Sequence, residues 1–180
     1  YLRTGQGKPF SVFTPFKRRW IENFSLDFLN LEKATKPLKI PQLKSDLSPL
    51  NFPKKNAVDM TLWPAGEVSA LERLSSFLAN KVNSYNQSRN DPILDGTSRI
   101  SPYLALGIIS PKRCILEGLK LNNFELTSGN KGVCKWIDEI IWREFYRNIM
   151  HSFPKVSRNL PFQDYTKHIH WRYSEDELER

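Results

Sequence analysis

The stretch Trp136–Met150, WIDEIIWREFYRNIM, decides the fold. Placed on a helix at about 100° per residue, Val133, Ile137, Ile140, Ile141, Phe145 and Ile149 fall on one side, while Trp136, Glu139, Trp142, Arg143 and Tyr146 share another sector. A protein core needs only the first set. The second set interleaves flat aromatics with charges, and two explanations fit it. It is a second buried face in which Glu139 and Arg143 form an i,i+4 ion pair, or it is a surface built to hold something.

The flanks of this helix are punctuated. Pro154 ends it, and before it Leu121–Asn130 is a loop rich in Asn, Ser and Gly. Further upstream, Ser101-Pro102 and Ser110-Pro111 each give a cap followed by proline, the signal of a helix start, with Gly107 as a stop between them. Pro64 opens a longer helical pattern in which Val68, Leu71, Leu74, Leu78, Val82 and Tyr85 recur at three- and four-residue steps, ending in the polar run NQSRNDP. From Glu32 to Trp63, Pro37, Pro41, Pro49 and Pro53 interrupt any regular period and six lysines keep the stretch solvated, which marks a connection between domains. The first 31 residues carry Phe13, Phe16, Trp20, Phe24 and Phe28 at helical intervals, with Thr14 and Pro15 expected to start that helix. No useful period-2 alternation appears, so the second part of the chain is predicted to be all-α.

Composition bounds the function. With 39% hydrophobic and 12% aromatic residues in 180, the chain has the material for a packed core. No apolar run is long enough for a membrane span and no charged-then-apolar leader opens the chain, so the expectation is a soluble, cytoplasmic protein. Twenty-seven Lys and Arg against 19 Asp and Glu leave +8, a balance that favours an anionic partner. Cys114 and Cys134 are expected to be small buried helix residues, since no CxxC pair or zinc-ligand spacing includes them. His151, His168 and His170 sit late in the chain without a Ser or Cys motif, which leaves triad hydrolysis and a metal site without support. Asp95–Ser101 holds Gly96, three hydroxyls and Arg99 at the start of a capped helix. Such a turn suits phosphate or the polar edge of a cofactor, although Thr97, Ser98 and Ser101 are also ordinary turn and cap residues.

Four blocks in order, SVFTPFK at Ser11–Lys17, WPAGE at Trp63–Glu67, DGTSRISPYLALGIISP at Asp95–Pro111 and WIDEIIWREFYR at Trp136–Arg147, make the chain resemble the photolyase/cryptochrome flavoprotein family. The form WREFYR is most similar to its class I cyclobutane pyrimidine dimer photolyases. The resemblance runs from about Phe10 to Trp171 and implies a middle piece of the family pattern: mainly α, with residues 1–31 as the end of an α/β antenna domain, 32–63 as an interdomain linker, and 64–180 as the N-terminal half of the helical domain that binds flavin adenine dinucleotide (FAD).

That resemblance also implies residue roles. Tyr85 and the run Thr97, Ser98, Arg99, Ile100 and Ser101 line the FAD, as do Trp136 and Arg143. Glu139 and Trp142 face the cavity that receives a flipped pyrimidine dimer and carry the catalysis, with Tyr146 also on the DNA-binding side. Arg89 holds a DNA phosphate, with Asn90 where an acid commonly follows that arginine. Trp171 is the outermost member of a tryptophan chain that re-reduces the flavin. Glu144, in the apolar sector, needs a partner for its carboxylate and is structural. The implied activity is light-driven repair of cyclobutane pyrimidine dimers in DNA by electron transfer from reduced FAD. The full-length protein would act as a monomer away from membranes, with a folate or deazaflavin antenna chromophore bound outside this chain. A piece of this extent is expected to be inactive alone. Two alternatives stand: a blue-light photoreceptor of the cryptochrome type, and an inactive fragment that binds DNA through its charge.

Overall fold

The structure is a computed structural model that describes residues 1–29, 61–170 and 172. The prolines and lysines of the expected linker, up to residue 60, and Trp171 lie outside the described residues. Six α-helices follow in order among those described: α1 Phe13–Glu22, α2 Glu67–Asn80, α3 Tyr85–Ser88, α4 Ser101–Ala105, α5 Pro111–Leu121 and α6 Lys131–Ser152. The described residues contain no strand, only an isolated antiparallel bridge between Arg3 and Pro9. The chain separates into two compact units, one made of 1–24 with 141–180 and the other of 25–140, and α6 contributes residues to each.

The first unit is organised by aromatic rings. Phe16 is 2% exposed and meets Phe145 at 5.3 Å and Phe10 edge-on at 5.9 Å. Tilted and edge-on pairs of this kind are favoured by the ring quadrupole and are worth about 0.5–1.5 kcal/mol each beyond their buried area. Helix α1 begins at Phe13, with Val12 as an extended N-cap that makes no side-chain cap bond. Thr14 and Pro15 therefore sit inside the first turn and do not start it. Pro15 is tolerated there because the first four helical N–H groups have no intrahelical acceptor.

In the second unit, α2 starts after Gly66 and buries Ala70, Leu74 and Phe77, while Val68 is 70% exposed. The inner face is thus displaced from the stripe that the branched residues suggested. Val68 stands about 200° around the helix from Ala70, and it is the small Ala70 that faces inward. The long pattern also breaks at Lys81, since Val82–Ser84 is a 3₁₀ turn before the short α3. Both residues that end the predicted stripe are nonetheless buried, Val82 completely and Tyr85 to 8%.

Of the two Ser-Pro signals only the second supplies a cap: α4 already includes Ser101, with Ile100 as its N-cap and no side-chain cap bond, although Pro102 sits in its first turn. Ser110 caps α5, its hydroxyl accepting from the Lys112 N–H at 3.2 Å, and Gly107 takes a left-handed φ of +71° after α4. In the loop before α6, buried Asn122 donates to the carbonyls of Glu125 at 2.6 Å and Ser128 at 2.7 Å and accepts from the Asn130 N–H at 2.8 Å. Asn130 then caps α6 through the N–H groups of Gly132 and Val133, an N-cap role in which a side-chain oxygen takes up otherwise orphaned donors. Cys114 is buried as expected, whereas Cys134 is only half-buried, with its thiol 3.1 Å from the Ser128 carbonyl. No disulfide joins them. No helix among the described residues is long and apolar enough to cross a membrane.

Candidate functional site

Helix α6 separates its two sets of side chains as the pattern required, with one exception. Val133, Ile137, Ile140, Ile141, Phe145 and Ile149 are all buried. Of the other five, Trp136 has joined them at 2% exposure, while Glu139, Trp142 and Arg143 are half-buried and Tyr146 is 59% exposed. Four of the five are therefore left partly open, which a two-sided core helix would not do with an indole and two charges.

In the second unit, Trp136 closes an aromatic cluster. Phe77 meets it at 5.3 Å and meets Tyr85 edge-on at 5.7 Å. The Trp136 indole N–H points at the Ser98 hydroxyl, 3.4 Å away, which ties the helix to the Asp95–Ser101 turn. That turn is anchored at three points. Ile100 is buried at 3%; Gly96 is packed so closely on Ser88 that a Cβ there would lie 2.5 Å from its hydroxyl; and the Asp95 carboxylate takes Lys81 at 2.5 Å and Arg99 at 2.9 Å. The Lys81 ammonium hydrogen-bonded to Asp95 holds its carboxyl below the usual range. Arg99 itself adopts φ +50°, a left-handed conformation uncommon for a residue with a side chain.

The turn forms one wall of a cleft of about 440 Å³. Thr97, Ser98 and Arg99 supply that wall, and Ser69, Glu72, Arg73 and Ser76, spaced along one face of α2, supply another, with Lys81 and Asp95 at its edge. Arg73 braces the WPAGE block by donating to the Leu62 carbonyl at 2.8 Å and lying over the Trp63 ring at 5.1 Å, while the Tyr103 hydroxyl donates to the Pro64 carbonyl at 2.7 Å. Pattern reading missed these α2 residues. The polar i, i+3, i+4, i+7 spacing of Ser69, Glu72, Arg73 and Ser76 was the available signal, but the same spacing marks any solvated helix face. The lining thus combines hydroxyls and three cations with two carboxylates, Glu72 and Asp95, and Asp95 already pairs with Lys81 and Arg99; charge-assisted bonds from Arg and Lys are the strong ones for an anionic group.

Arg89, at the C-cap of α3, is turned back onto α6. Its guanidinium donates to Glu139 and lies 5.8 Å from the centre of the Tyr85 ring, and Lys135 approaches the same Glu139 oxygen at 3.5 Å. The side chains of Arg89 and Glu139 are 25% and 31% exposed. The hydrogen bond from Arg89 to Glu139 raises the arginine pKa further, and burial, reinforced by the Glu139 charge, raises that of Tyr85. Tyr85, Arg89, Ser98, Trp136 and Glu139 are thus linked in one contact network.

The first unit holds the remaining expected residues. Trp142 stacks on Phe13 and, less closely, on Tyr146. Arg143 binds Glu144 at 2.8 Å, and Arg147 reaches the same carboxylate at 3.2 Å, so Glu144 has the partners its position demanded. Among the described residues, no group of three or more His, Cys, Asp or Glu could hold a metal ion.

No protein-family model matches the chain. Curated proteins do. A deoxyribodipyrimidine photo-lyase of Salmonella typhimurium is 36% identical over 173 residues, which is 95% of this chain and 36% of that protein. Proteins of the same name from Neurospora crassa and Escherichia coli are each 32% identical, over 97% and 95% of this chain and 31% and 36% of their own lengths. The chain therefore spans about a third of the length of these relatives. Among solved structures, a bacterial class III photolyase from Agrobacterium tumefaciens matches with a TM-score of 0.79 and 28% identity, over 99% of this chain and 37% of that one. Helical architecture, an ordered TSRIS turn and a likeness that spans nearly every residue lead to one conclusion: the chain belongs to the photolyase/cryptochrome family.

Proposed function

We propose that the protein containing this chain is a DNA photolyase that repairs cyclobutane pyrimidine dimers in light, with FAD as its cofactor. The observation that carries this reading is the partial opening of one sector of α6, which leaves Trp142, Arg143 and Tyr146 in the first unit, and Glu139 in the second, partly exposed although the buried face of the helix is complete without them. Within the family, the wording WREFYR favours the class I enzymes.

In this reading Thr97, Ser98, Arg99, Ile100 and Ser101, with Tyr85, Trp136 and Arg143, hold the FAD, and the rest of the flavin domain lies outside residues 64–180. Residues 1–31 are the end of the antenna domain and the stretch from 32 to 63 is its linker to the flavin domain; the antenna chromophore, a folate or deazaflavin, binds elsewhere in the full-length protein. When bound, the flavin supplies the light-driven electron that opens the cyclobutane ring. Trp171 would carry electrons towards the flavin from the protein surface.

The chain's own residues then have separable tasks. Photolyases extrude the damaged nucleotides from the duplex, and Trp142 offers the extruded bases a flat surface worth about 1–3 kcal/mol per stacked base. Arg89 and Lys135 both hold Glu139, with Asp138 a second carboxylate near Arg89, so fixed and already oriented cations stand beside the carboxylate that faces the lesion, and such charge stabilises a developing negative state without reorganisation. The excess of Lys and Arg over the whole chain supports attraction to DNA. A DNA substrate places the protein in the cytoplasm of a bacterial cell or a DNA-containing compartment.

The test is illumination of an oligonucleotide carrying one thymine dimer with the flavin-loaded full-length protein, following the return of thymine absorbance. Light-dependent recovery supports repair. Tight flavin binding without any recovery would instead favour the photoreceptor branch of the family.

A further inference from the structure

The ion pair between Arg89 and Glu139 joins the residue proposed to hold DNA phosphate to the one proposed to face the lesion, across 50 positions of sequence. Among the described residues two cations meet Glu139 at its Oε1: the Arg89 guanidinium and, at 3.5 Å, the Lys135 ammonium. Arg89 also makes an Nε contact of 3.3 Å with Asn90, lies over the face of Tyr85 and feels the Asp138 charge. A guanidinium binds an oxyanion best through two parallel N–H groups. An arginine already giving an Nη1 hydrogen to a carboxylate cannot offer a phosphate its full set of donors.

We infer that Arg89 is a shared positioning residue, kept on Glu139 when no DNA is bound and handed to a backbone phosphate when DNA arrives. This rests on the assignment of Arg89 and Glu139 made above. The consequence is discrimination. Undamaged DNA offers a phosphate but no extruded base, so taking Arg89 costs the ion pair and returns nothing to Glu139. DNA carrying a dimer compensates, because the released carboxylate finds a base edge. Lys135 stays within reach of Oε1 in either state, so the carboxylate is never left as an isolated, half-buried charge.

Dark binding of the flavin-loaded full-length protein to an undamaged single-stranded oligonucleotide, and to the same strand with one thymine dimer, tests this directly. Glu139→Gln should tighten binding to the undamaged strand about three- to tenfold and steepen the slope of log affinity against log salt by about one, the signature of one additional phosphate contact. Glu117→Gln removes the same charge from another carboxylate that is paired to two cations, and should give a smaller gain with no change of slope. Glu139→Asp keeps the charge but shortens the arm, and should shift binding in the same direction as Glu139→Gln. Adding Arg89→Gln to Glu139→Gln should abolish the gain. If Glu139→Gln and Glu139→Asp bind undamaged DNA no tighter than Glu117→Gln, or if the gain persists without Arg89, the hand-off is wrong. Should Arg89→Gln alone weaken DNA binding while the Glu139 variants show no gain, only the hand-off falls. Should Arg89→Gln leave affinity for both strands unchanged, the phosphate role of Arg89 falls with it.

Discussion

Trp142 lies flat on Phe13, with ring centroids 3.7 Å apart and planes 9° from parallel. Phe13 is the first residue of α1, so the SVFTPFK block and the WREFYR block, far apart in sequence, meet at the indole proposed to stack on the lesion. One face of that indole is already covered, and Phe145 approaches edge-on at 5.6 Å. The Phe13 stack fixes the tilt of the ring, and Tyr146 stacks on the same indole less closely, at 5.6 Å.

Phe13→Ala should therefore do two things at once. It should destabilise the protein by about 0.5–1.5 kcal/mol for the lost ring pair plus a share of lost burial, staying below the about 3–5 kcal/mol typical of a fully buried phenylalanine because Phe13 is half-exposed. In the full-length protein it should also weaken binding to dimer-containing DNA, by less than Trp142→Ala does. Denaturant unfolding and dark binding titrations on the two variants check both parts.

Gly96→Ala tests the anchoring of the TSRIS turn. The new methyl would lie 2.5 Å from the Ser88 hydroxyl and 2.6 Å from its Cβ, a clash that can be relieved only by moving the turn or Ser88. Overpacking of this kind costs about 1–3 kcal/mol. Because Thr97 and Ser98 follow directly, flavin content of the purified full-length protein should fall, and Ser88→Gly should restore part of it by removing the colliding side chain. Full flavin occupancy in Gly96→Ala alone would show that the turn does not hold the cofactor.

The Asp95 carboxylate gives the turn a pH dependence of known sign. Its pKa is lowered in the folded protein, by the Lys81 hydrogen bond foremost, so its contribution to stability is complete above the ordinary carboxylate range of about 4 and is lost as the pH falls through the lower folded value. Asp95 is largely exposed, and surface pairs of this sort contribute about 0–1 kcal/mol. Asp95→Asn should be slightly less stable than the parent at neutral pH, and the difference should close as both are acidified. A difference that stays constant down to the lowest pH would mean that the ion pairs are not its source.

How much of this was legible beforehand varies with the kind of signal. The α6 division was readable because helical period and burial report the same thing, and all six residues assigned to its inner face are buried. Trp136 was not separable from its sector by pattern, since an indole is equally suited to a core and to a stacking surface, and its fate was decided by Phe77 from another helix. The α2 stripe was misjudged for a related reason: Ala70 carries little hydropathy, yet is completely buried. The pairing of Arg89 with Glu139 could not be seen at all in the sequence. It depends on how α3 and α6 are brought together within their unit, which no local propensity encodes.

The most direct measurement of the central claim, that the open sector of α6 is a lesion-binding surface and not a second core face, is the ratio of dark affinities for dimer-containing and undamaged DNA in the full-length protein with and without Trp142→Ala. The account predicts that the ratio falls about fivefold or more, as loss of about 1–3 kcal/mol of base stacking requires, while flavin content stays unchanged. A ratio equal to that of the parent, with thermal stability and bound flavin lost together, would contradict it.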